Sequence, residues 1–189
     1  MHEELIERKI SRKEIYAGKV LNVVCDDIEL PNGERAIREF CIHVGAVCII
    51  PVLQDGRVIM ERQFRYPHGR IFYEIPAGKL DSPDEDPLSA AERELREETG
   101  AVAGKMTFLG ALDTSPALIT ERIYMYLAED MSFTDRELDD DEFLSVEYAH
   151  LSDLYDMVLR GEIADAKTQV AVLKVAAMRP ELLKKDISV

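Results

Sequence analysis

The pattern of apolar and polar residues predicts strands throughout the first third of the chain. β-Branched residues alternate roughly with polar residues over 7–16 and 20–30, and Pro31-Asn32-Gly33 provides a turn before the segment 34–42. Gln54-Asp55-Gly56 indicates a second hairpin. The remaining strand-like segments are 46–53, 57–64, 71–75, 105–112, 122–128 and 143–149. These segments predict an N-terminal antiparallel strand region followed by a larger sheet.

Three segments carry a helical pattern instead. In the first, Asp86 is a suitable N-cap and Gly100 suits the left-handed residue that commonly follows a helix. Helices are also predicted at 151–160 and at 166–178, the latter with Asp165 as its N-cap. The order of strands, helix, strands and helices favours an α/β sandwich built around a mixed sheet.

Three glutamates, Glu94, Glu97 and Glu98, lie within one turn of the first predicted helix. Like charges three or four residues apart on a helix destabilise it by about 0.2–0.5 kcal/mol per pair, so a positive group is expected beside them. Arg93 could hold one of the carboxylates as a bidentate partner. Mg²⁺ is often held by a few carboxylates together with substrate phosphates. The cluster therefore suggests a diphosphate bound through Mg²⁺, with a solvated glutamate face as the alternative.

The apolar residues of the same helix indicate the direction in which the glutamates point. Leu88, Ala91 and Leu95 recur at helical spacing and are expected to face the core. The three glutamates are then expected on another side of the helix, where they could meet a ligand.

Length and charge limit the classes of protein that fit. The 189 residues suit one domain with a sizeable core, and 37 acidic against 23 basic residues give a net charge of −14. This charge disfavours binding to nucleic acid or to an anionic membrane, and an anionic substrate would need metal ions and local arginines. The longest apolar run, 44–53, is too short to cross a bilayer, and the acidic N-terminus lacks a secretory signal. A cytoplasmic protein is expected.

The cysteines suggest neither a disulfide framework nor a zinc site. Cys25, Cys41 and Cys48 are odd in number, widely spaced and located in strand-like segments. We expect them to be reduced residues in or near the core.

The glutamate helix and the loop before it resemble the signature of the Nudix hydrolases. One additional residue separates Gly78 from Glu85, so Asp84 keeps the usual spacing and either carboxylate could fill that position. The matching residues are Gly78, Glu85, Arg93, Glu94, Leu95, Glu97, Glu98 and Gly100. The resemblance implies an α/β/α sandwich for residues 43–189, with 1–42 as an N-terminal strand region for substrate recognition and dimerisation.

Within that family the chain is most similar to the ADP-ribose pyrophosphatases. Ser115-Pro116 stands about fifteen residues after the signature, as in that subfamily, whereas Val44 and Ala117 replace a common proline and a common glycine. Similar segments are Leu30-Pro31-Asn32-Gly33, Arg38-Glu39, 43–47, 62–67, 74–78 and 165–168. The resemblance implies a homodimer that hydrolyses ADP-ribose to AMP and ribose 5-phosphate.

The resemblance also implies a metal site. Mg²⁺, or alternatively Mn²⁺, would be bound by the signature glutamates Glu94, Glu97 and Glu98 and by the backbone carbonyl of Ala77. Glu97 and Arg93 would in addition take part in catalysis. Such ions polarise phosphoryl oxygens and generate hydroxide from bound water.

Two further residues are implied to contact the substrate near the metal. Arg65 would bind the diphosphate, or could be a surface arginine at a strand end. Glu74 would bind the adenine edge or a ribose, or could simply cap its loop. Both residues lie within segments that resemble the subfamily, 62–67 and 74–78.

The resemblance to the subfamily also implies a general base, a glutamate on the acidic loop before the last strand. Glu142 is the candidate, with Asp139, Asp140 and Asp141 as alternatives and a solvated loop as the commoner use of such a sequence. Glu121 matches a glutamate of the family and would orient the substrate or a signature residue, or else pair with Arg122.

The resemblance further implies that residues of the N-terminal strands recognise the adenine. The chain has no tryptophan, which excludes a tryptophan sandwich around the base. Tyr16 and Phe40 are the aromatic residues in this region, and core packing is the favoured interpretation of both. Arg38 and Glu39 could supply polar contacts, and Pro116 lies in the subfamily's substrate loop.

Two other functions fit the same sequence. One is hydrolysis of a different nucleoside diphosphate sugar, such as a GDP- or UDP-sugar. The other is a Nudix-like module that binds ADP-ribose without cleaving it, against which the complete set of signature glutamates argues.

Overall fold

The structure, a computed structural model, describes residues 2–138 and 143–184. Its strands are β1 (Arg8–Ala17), β2 (Asn22–Glu29), β3 (Arg35–Ile42), β4 (Ala46–Pro51), β5 (Arg57–Arg65), β6 (Arg70–Glu74), β7 (Ala77–Lys79), β8 (Ala101–Asp113), β9 (Arg122–Phe133) and β10 (Leu144–His150). Its α-helices are α1 (Pro87–Thr99), α2 (Leu151–Leu159) and α3 (Ala166–Met178). Short 3₁₀ turns occupy Glu3–Leu5, Tyr66–His68 and Pro180–Leu183.

The predicted strands and helices are all present, and the differences are one additional strand and the lengths of two others. Strand β7 was missed because three residues containing a glycine are too few to show alternation. Strand β8 begins at Ala101, four residues before its predicted start, and β9 continues to Phe133. Both extensions carry Gly or acidic residues that weaken the strand pattern.

The described chain forms two compact units. Unit 1 consists of Met1–Gly45 and Asp113–Arg122, and unit 2 of Ala46–Leu112 and Ile123–Val189. Unit 1 contains an antiparallel sheet in the order β1-β2-β3. Its second segment joins the end of β3 in a parallel bridge, where the Cys41 N–H donates to the Leu118 carbonyl at 2.8 Å.

Unit 2 contains two sheets. One is a mixed sheet in the order β7-β4-β9-β8, in which β4 runs parallel to β9 and antiparallel to β7. The other is antiparallel, in the order β10-β5-β6. The predicted mixed sheet is therefore confirmed.

Strand β4 separates two apolar cores within unit 2. Because successive side chains of a strand point to opposite faces, Cys48 and Ile50 pack with residues of α2 and α3, whereas Val47 and Ile49 pack with residues of α1. All four residues are almost completely buried. This arrangement of helices on both faces of the mixed sheet confirms the α/β/α sandwich.

Both predicted helix caps are present. The Asp86 carboxylate accepts a hydrogen bond from the Ser89 N–H at 3.0 Å, and Gly100 follows α1 with a φ of 71°. The Asp165 carboxylate accepts from the Thr168 N–H at 2.9 Å at the start of α3. These bonds satisfy backbone donors that have no partner inside the helix.

The faces of α1 differ from the prediction in two respects. Leu88 is exposed, and Ala90 joins Ala91 and Leu95 in the core. Glu94 and Glu98 are buried as well, so only Glu97 lies away from the buried side. Positions 91, 94, 95 and 98 share one face at helical spacing, and that face is wide enough to include two carboxylates.

The three cysteines are free, as predicted, and Cys48 is buried. Burial raises the pKa of the Cys48 thiol to about 12, which keeps it protonated at neutral pH. Across the described residues, no helix has both the length and the apolar character needed to cross a membrane.

Candidate active site

Gly78 allows the glutamate helix to approach the mixed sheet. A Cβ atom built on Gly78 would lie 2.0 Å from the Glu94 carboxyl carbon and 2.0 Å from its Oε1. Non-bonded heavy atoms do not approach each other this closely, so any side chain at this position would displace the Glu94 carboxylate. The glycine of the signature is thus required by the close packing of Glu94 against β7.

Glu98 is held by the same segment of backbone. Its Oε2 accepts a hydrogen bond from the Ala77 N–H at 3.0 Å, and the residue is 3% exposed. Ala77 is the residue whose carbonyl is the predicted fourth metal ligand. The structure therefore brings the backbone of Ala77 into direct contact with one of the predicted glutamate ligands.

Arg93 bridges several carboxylates of the cluster. Its Nη1 donates to Glu94 Oε1 at 2.9 Å and to Glu97 Oε2 at 3.2 Å, and its Nη2 donates to Glu85 Oε1 at 3.4 Å. The predicted bidentate pair with a single carboxylate is therefore wrong. Burial alone would lower the pKa of the Arg93 guanidinium, but the charge of Glu94 and the hydrogen bonds outweigh it and raise the pKa.

The same contacts decide which residue fills the loop position of the signature. Glu85 lies against Arg93 and also accepts a hydrogen bond from the Asp81 N–H. The extra residue is accommodated in the loop before α1, so Glu85 reaches Arg93 although Asp84 keeps the usual spacing from Gly78.

The chemistry of these residues fits a hard divalent cation. Glu94, Glu97 and Glu98 offer carboxylate oxygens, which Mg²⁺ and Mn²⁺ prefer. In the described ranges, however, no three acidic, histidine or cysteine side chains already form a metal-binding group. Glu94 and Glu97 instead form ion pairs with Arg93. The hydrogen bonds of Arg93 go to one oxygen of each of these carboxylates, Glu94 Oε1 and Glu97 Oε2.

A second charged network in unit 2 contains Arg65, Glu74 and Lys167. Arg65 donates from Nε and Nη2 to the two oxygens of Glu74, both at 2.9 Å. Lys167 Nζ lies 2.5 Å from Glu74 Oε2 and 3.2 Å from Asp165 Oδ1. Arg65 is therefore not a simple surface residue at a strand end. Burial alone would lower the pKa of the Arg65 guanidinium, but the hydrogen bonds and charge of Glu74, together with the charges of Asp165 and Glu98, outweigh it and raise the pKa.

The charges in this network stabilise one another. Burial alone would raise the pKa of the Glu74 carboxyl, but Arg65 and Lys167 outweigh it and lower the pKa. Burial alone would lower the pKa of the Lys167 ammonium, and Asp165 and Glu74 outweigh it in turn. Both groups are therefore charged at neutral pH. The two oxygens of Glu74 are occupied by these cations, so its predicted contact with adenine or ribose would have to displace one of them.

The remaining predicted residues lie in unit 1. Glu121 Oε2 accepts a hydrogen bond from the Thr114 hydroxyl at 2.7 Å, and its Oε1 lies 3.7 Å from His43 Nε2. Arg122, the alternative partner of Glu121, instead forms a bidentate pair with Asp113. Pro116 is exposed in the same segment.

The N-terminal candidates are surface residues. Arg38 pairs with Glu7, and Glu39 is exposed on β3. Tyr16 is 57% exposed, so its predicted packing in a core is wrong. Phe40 is half-buried, and the Arg12 guanidinium lies 5.3 Å from its ring centroid. The predicted base Glu142 and the alternatives Asp139, Asp140 and Asp141 lie outside the described residues.

Two residues of these networks were not predicted. Lys167 lies two residues after a helix cap in a helix whose other buried side chains are apolar or small, and it belongs to the segment 165–168 that resembles the subfamily. His43 belongs to the similar segment 43–47, but its contact with Glu121, 78 residues later in the chain, could not be predicted from local sequence.

Comparison with known proteins agrees with this geometry. A family model described as NUDIX domain matches residues 42–170, and one described as nucleoside diphosphate sugar hydrolase N-terminal domain matches residues 7–40. A crystal structure of an ADP compounds hydrolase has a TM-score of 0.81 and covers 93% of this chain and 95% of that chain. At 24% identity, this last likeness concerns the fold alone.

Two relatives resemble the chain over most of its length. The ADP-ribose pyrophosphatase of Bacillus subtilis (strain 168) is 43% identical over 172 residues, which cover 90% of this chain and 92% of the relative. The methanol dehydrogenase activator of Bacillus methanolicus is 38% identical over 168 residues, which cover 88% and 90%. Gly78, Glu94 and Arg93 all lie within the range 42–170 that matches the NUDIX domain model. Because this match covers more than half of the chain and a relative is 43% identical over 90% of it, the chain belongs to the Nudix family.

Proposed function

We propose that the protein hydrolyses the diphosphate bond of ADP-ribose in the presence of Mg²⁺ or Mn²⁺, giving AMP and ribose 5-phosphate. The observation that carries this proposal is the pair of buried glutamates, Glu94 and Glu98, fixed against Gly78 and Ala77. Buried carboxylates are expected where a cation or a cationic side chain balances their charge. The similarity to an ADP-ribose pyrophosphatase and the match to a nucleoside diphosphate sugar hydrolase model support the choice of substrate.

The metal would be held by the signature helix and the strand beside it. Glu94, Glu97, Glu98 and the Ala77 carbonyl supply the oxygen ligands, and Arg93 orients Glu94 and Glu97 through its hydrogen bonds. When bound, the divalent ion would polarise the phosphoryl oxygens and lower the pKa of a bound water. The protein contributes by holding these ligands on a helix and a strand that are both packed into a core.

Arg65 would bind the diphosphate. A guanidinium has five N–H donors. The two bonds to Glu74 use the Nε–H and one of the two N–H groups of Nη2. The other donors can bind phosphate oxygens.

The remaining roles follow from the resemblance of the sequence to the ADP-ribose pyrophosphatases. Glu142 is the proposed general base, and Arg38, Glu39, Pro116 and Glu121 are the proposed substrate contacts. Residues 1–42 would form the region for substrate recognition and dimerisation, and 43–189 the hydrolase domain. We further propose that the protein acts as a homodimer in the cytoplasm.

A substrate panel tests the proposal. Purified protein with Mg²⁺ or Mn²⁺ is incubated with ADP-ribose, a GDP-sugar and a UDP-sugar, and kcat/KM is measured for each. We expect ADP-ribose to have the highest kcat/KM. A higher kcat/KM for a GDP- or UDP-sugar would show that ADP-ribose is not the preferred substrate, but it would still support metal-dependent hydrolysis of a diphosphate bond. Tight binding of ADP-ribose without turnover would instead indicate a binding module.

A further inference from the structure

We infer that Lys167 and Glu74 are positioning residues for Arg65: Glu74 fixes its guanidinium, and Lys167 prevents the surrounding carboxylates from repelling the diphosphate. The inference rests on the proposed function, because it concerns the reaction that Arg65 serves. It also assigns Glu74 a role different from direct contact with the substrate.

Lys167 is buried although it carries a charge. Only 9% of the residue is exposed, and its Nζ lies between the carboxylates of Glu74 and Asp165. Lysine is almost never fully buried unless it is paired, because an ammonium ion loses its hydration. A lysine in this position therefore indicates a specific requirement for its charge.

Glu74 is fixed on both sides of its carboxylate. The two parallel bonds from Arg65 define the plane of the guanidinium, as fork-like pairs of arginine and carboxylate do. The backbone next to Glu74 is fixed as well, because the Ile75 N–H donates to the completely buried Thr168 hydroxyl at 3.0 Å. Strand β6 and helix α3 therefore hold Glu74 as a rigid support for Arg65.

The charges explain why a lysine is needed in addition. A bidentate pair with Glu74 alone would neutralise Arg65 and weaken its attraction for a diphosphate. Arg65 has two carboxylates in its network, Glu74 and Asp165, and Lys167 pairs with both of them. With Lys167 the four charges sum to zero, whereas without it a net charge of −1 would oppose the approach of a diphosphate to Arg65.

Two variants test the roles of these residues. Glu74→Gln keeps the shape of the side chain but can accept on only one oxygen, and Lys167→Met removes the charge at similar volume. Each variant should have a kcat/KM about 10- to 100-fold lower than that of the wild type, because a substrate-binding group that loses the residues orienting it is misplaced. Lys167→Arg keeps the charge and should recover part of the loss.

A double-mutant cycle separates positioning from direct contact. If Glu74 and Lys167 act through Arg65, Glu74→Gln and Lys167→Met should cause little further loss in the background of Arg65→Ala. If Glu74 contacts the substrate itself, the losses should multiply, and that result would overturn the inference.

Glu147→Gln is a matched control. Glu147 pairs with Arg62, which lies on the same strand as Arg65 and three residues before it, with its Nε 2.7 Å from the carboxylate. This variant should leave kcat/KM unchanged. Thermal unfolding of every variant shows whether it folds, and if Lys167→Met does not fold, Lys167→Arg and Glu74→Gln carry the test.

A readout without turnover completes the experiment. In ¹⁵N NMR spectra, the Nε–H of Arg65 should exchange slowly with water in the wild type and fast in Glu74→Gln, because its acceptor is Glu74 Oε1. Wild-type protein that cleaves no ADP-ribose would overturn the proposed function. Active wild-type protein whose Glu74 and Lys167 variants keep full kcat/KM would overturn only the present inference.

Discussion

The absence of a side chain at position 78 is as important to the site as the glutamates. The Glu94 carboxylate occupies the space that a Cβ of residue 78 would need, and Glu98 bonds to the backbone of Ala77 next to it. The signature therefore specifies a packing contact as well as a set of ligands. At this scale the chemistry depends on how closely helix α1 approaches strand β7.

Gly78→Ala tests this contact. The added methyl group must displace Glu94, and misplacement of a metal ligand by about 1 Å should reduce kcat on the order of 100-fold. The measurement is kcat at saturating metal, together with thermal unfolding.

Gly161→Ala is the control for the effect of alanine itself. Gly161 has a φ of 73°, and a Cβ there would meet nothing within 4 Å. This variant should lose stability through backbone strain but keep its kcat. Equal kcat in Gly78→Ala and the wild type would contradict the packing argument.

The lowered pKa of Glu74 predicts a dependence of stability on pH. A carboxyl whose pKa is lower in the folded state contributes stability that is complete above its ordinary pKa of 4.5 and is lost as the pH falls through the lowered value. Glu74→Gln should therefore unfold at a lower temperature than the wild type above about pH 5, and the difference should shrink toward pH 3. A difference that grows on acidification would contradict the ion pairs of Glu74.

At the level of elements, caps and periodicity were sufficient to locate the helices. Asp86, Gly100 and Asp165 all have the predicted roles because capping depends on a few adjacent residues. The exposure of Leu88 and the burial of Glu98 were not predicted. Which edge of a helix is covered depends on the sheet against which it packs, and that information is not local.

Asp165 has two functions in helix α3, and its variants should separate them. Asp165→Ala removes the bonds to Thr168 and the charge beside Lys167, whereas Asp165→Asn keeps a cap and removes only the charge. Loss of a cap costs about 1 kcal/mol, so urea unfolding should show Asp165→Ala to be the less stable variant by about that amount. Equal stabilities would show that the cap contributes nothing.

At the level of the whole molecule, the sequence predicted the α/β/α sandwich but not the composition of unit 1. The runs of apolar residues in β4 and β9 indicate strands that are buried on both faces, and this pattern can be read locally. The assignment of Asp113–Arg122 to unit 1 depends on the bridge from Cys41 to Ile119. Contacts over such a separation leave no periodic signal in a single sequence.

The proposed homodimer is also a property of the whole molecule, and strand β1 is the candidate surface for it. Every residue of β1 is exposed, including the apolar Ile10 and Ile15. Exposed apolar residues along a strand favour association with another chain. Sedimentation analysis should give twice the monomer mass of 21.4 kDa, and replacement of Ile10 and Ile15 by Lys should shift the equilibrium toward the monomer. A wild-type protein that remains monomeric at all concentrations would contradict this proposal.

The central claim is that the signature glutamates bind a divalent metal ion that the protein needs to hydrolyse a nucleotide sugar. Its most direct test is the rate of AMP release from ADP-ribose by the wild type and by Glu98→Gln, at saturating Mg²⁺ and after removal of metal with a chelator. We predict rapid release by the wild type with Mg²⁺, none after chelation, and a rate lower by about 100-fold or more in Glu98→Gln at unchanged fold. Release that persists without metal, or at the wild-type rate in Glu98→Gln, would contradict the claim.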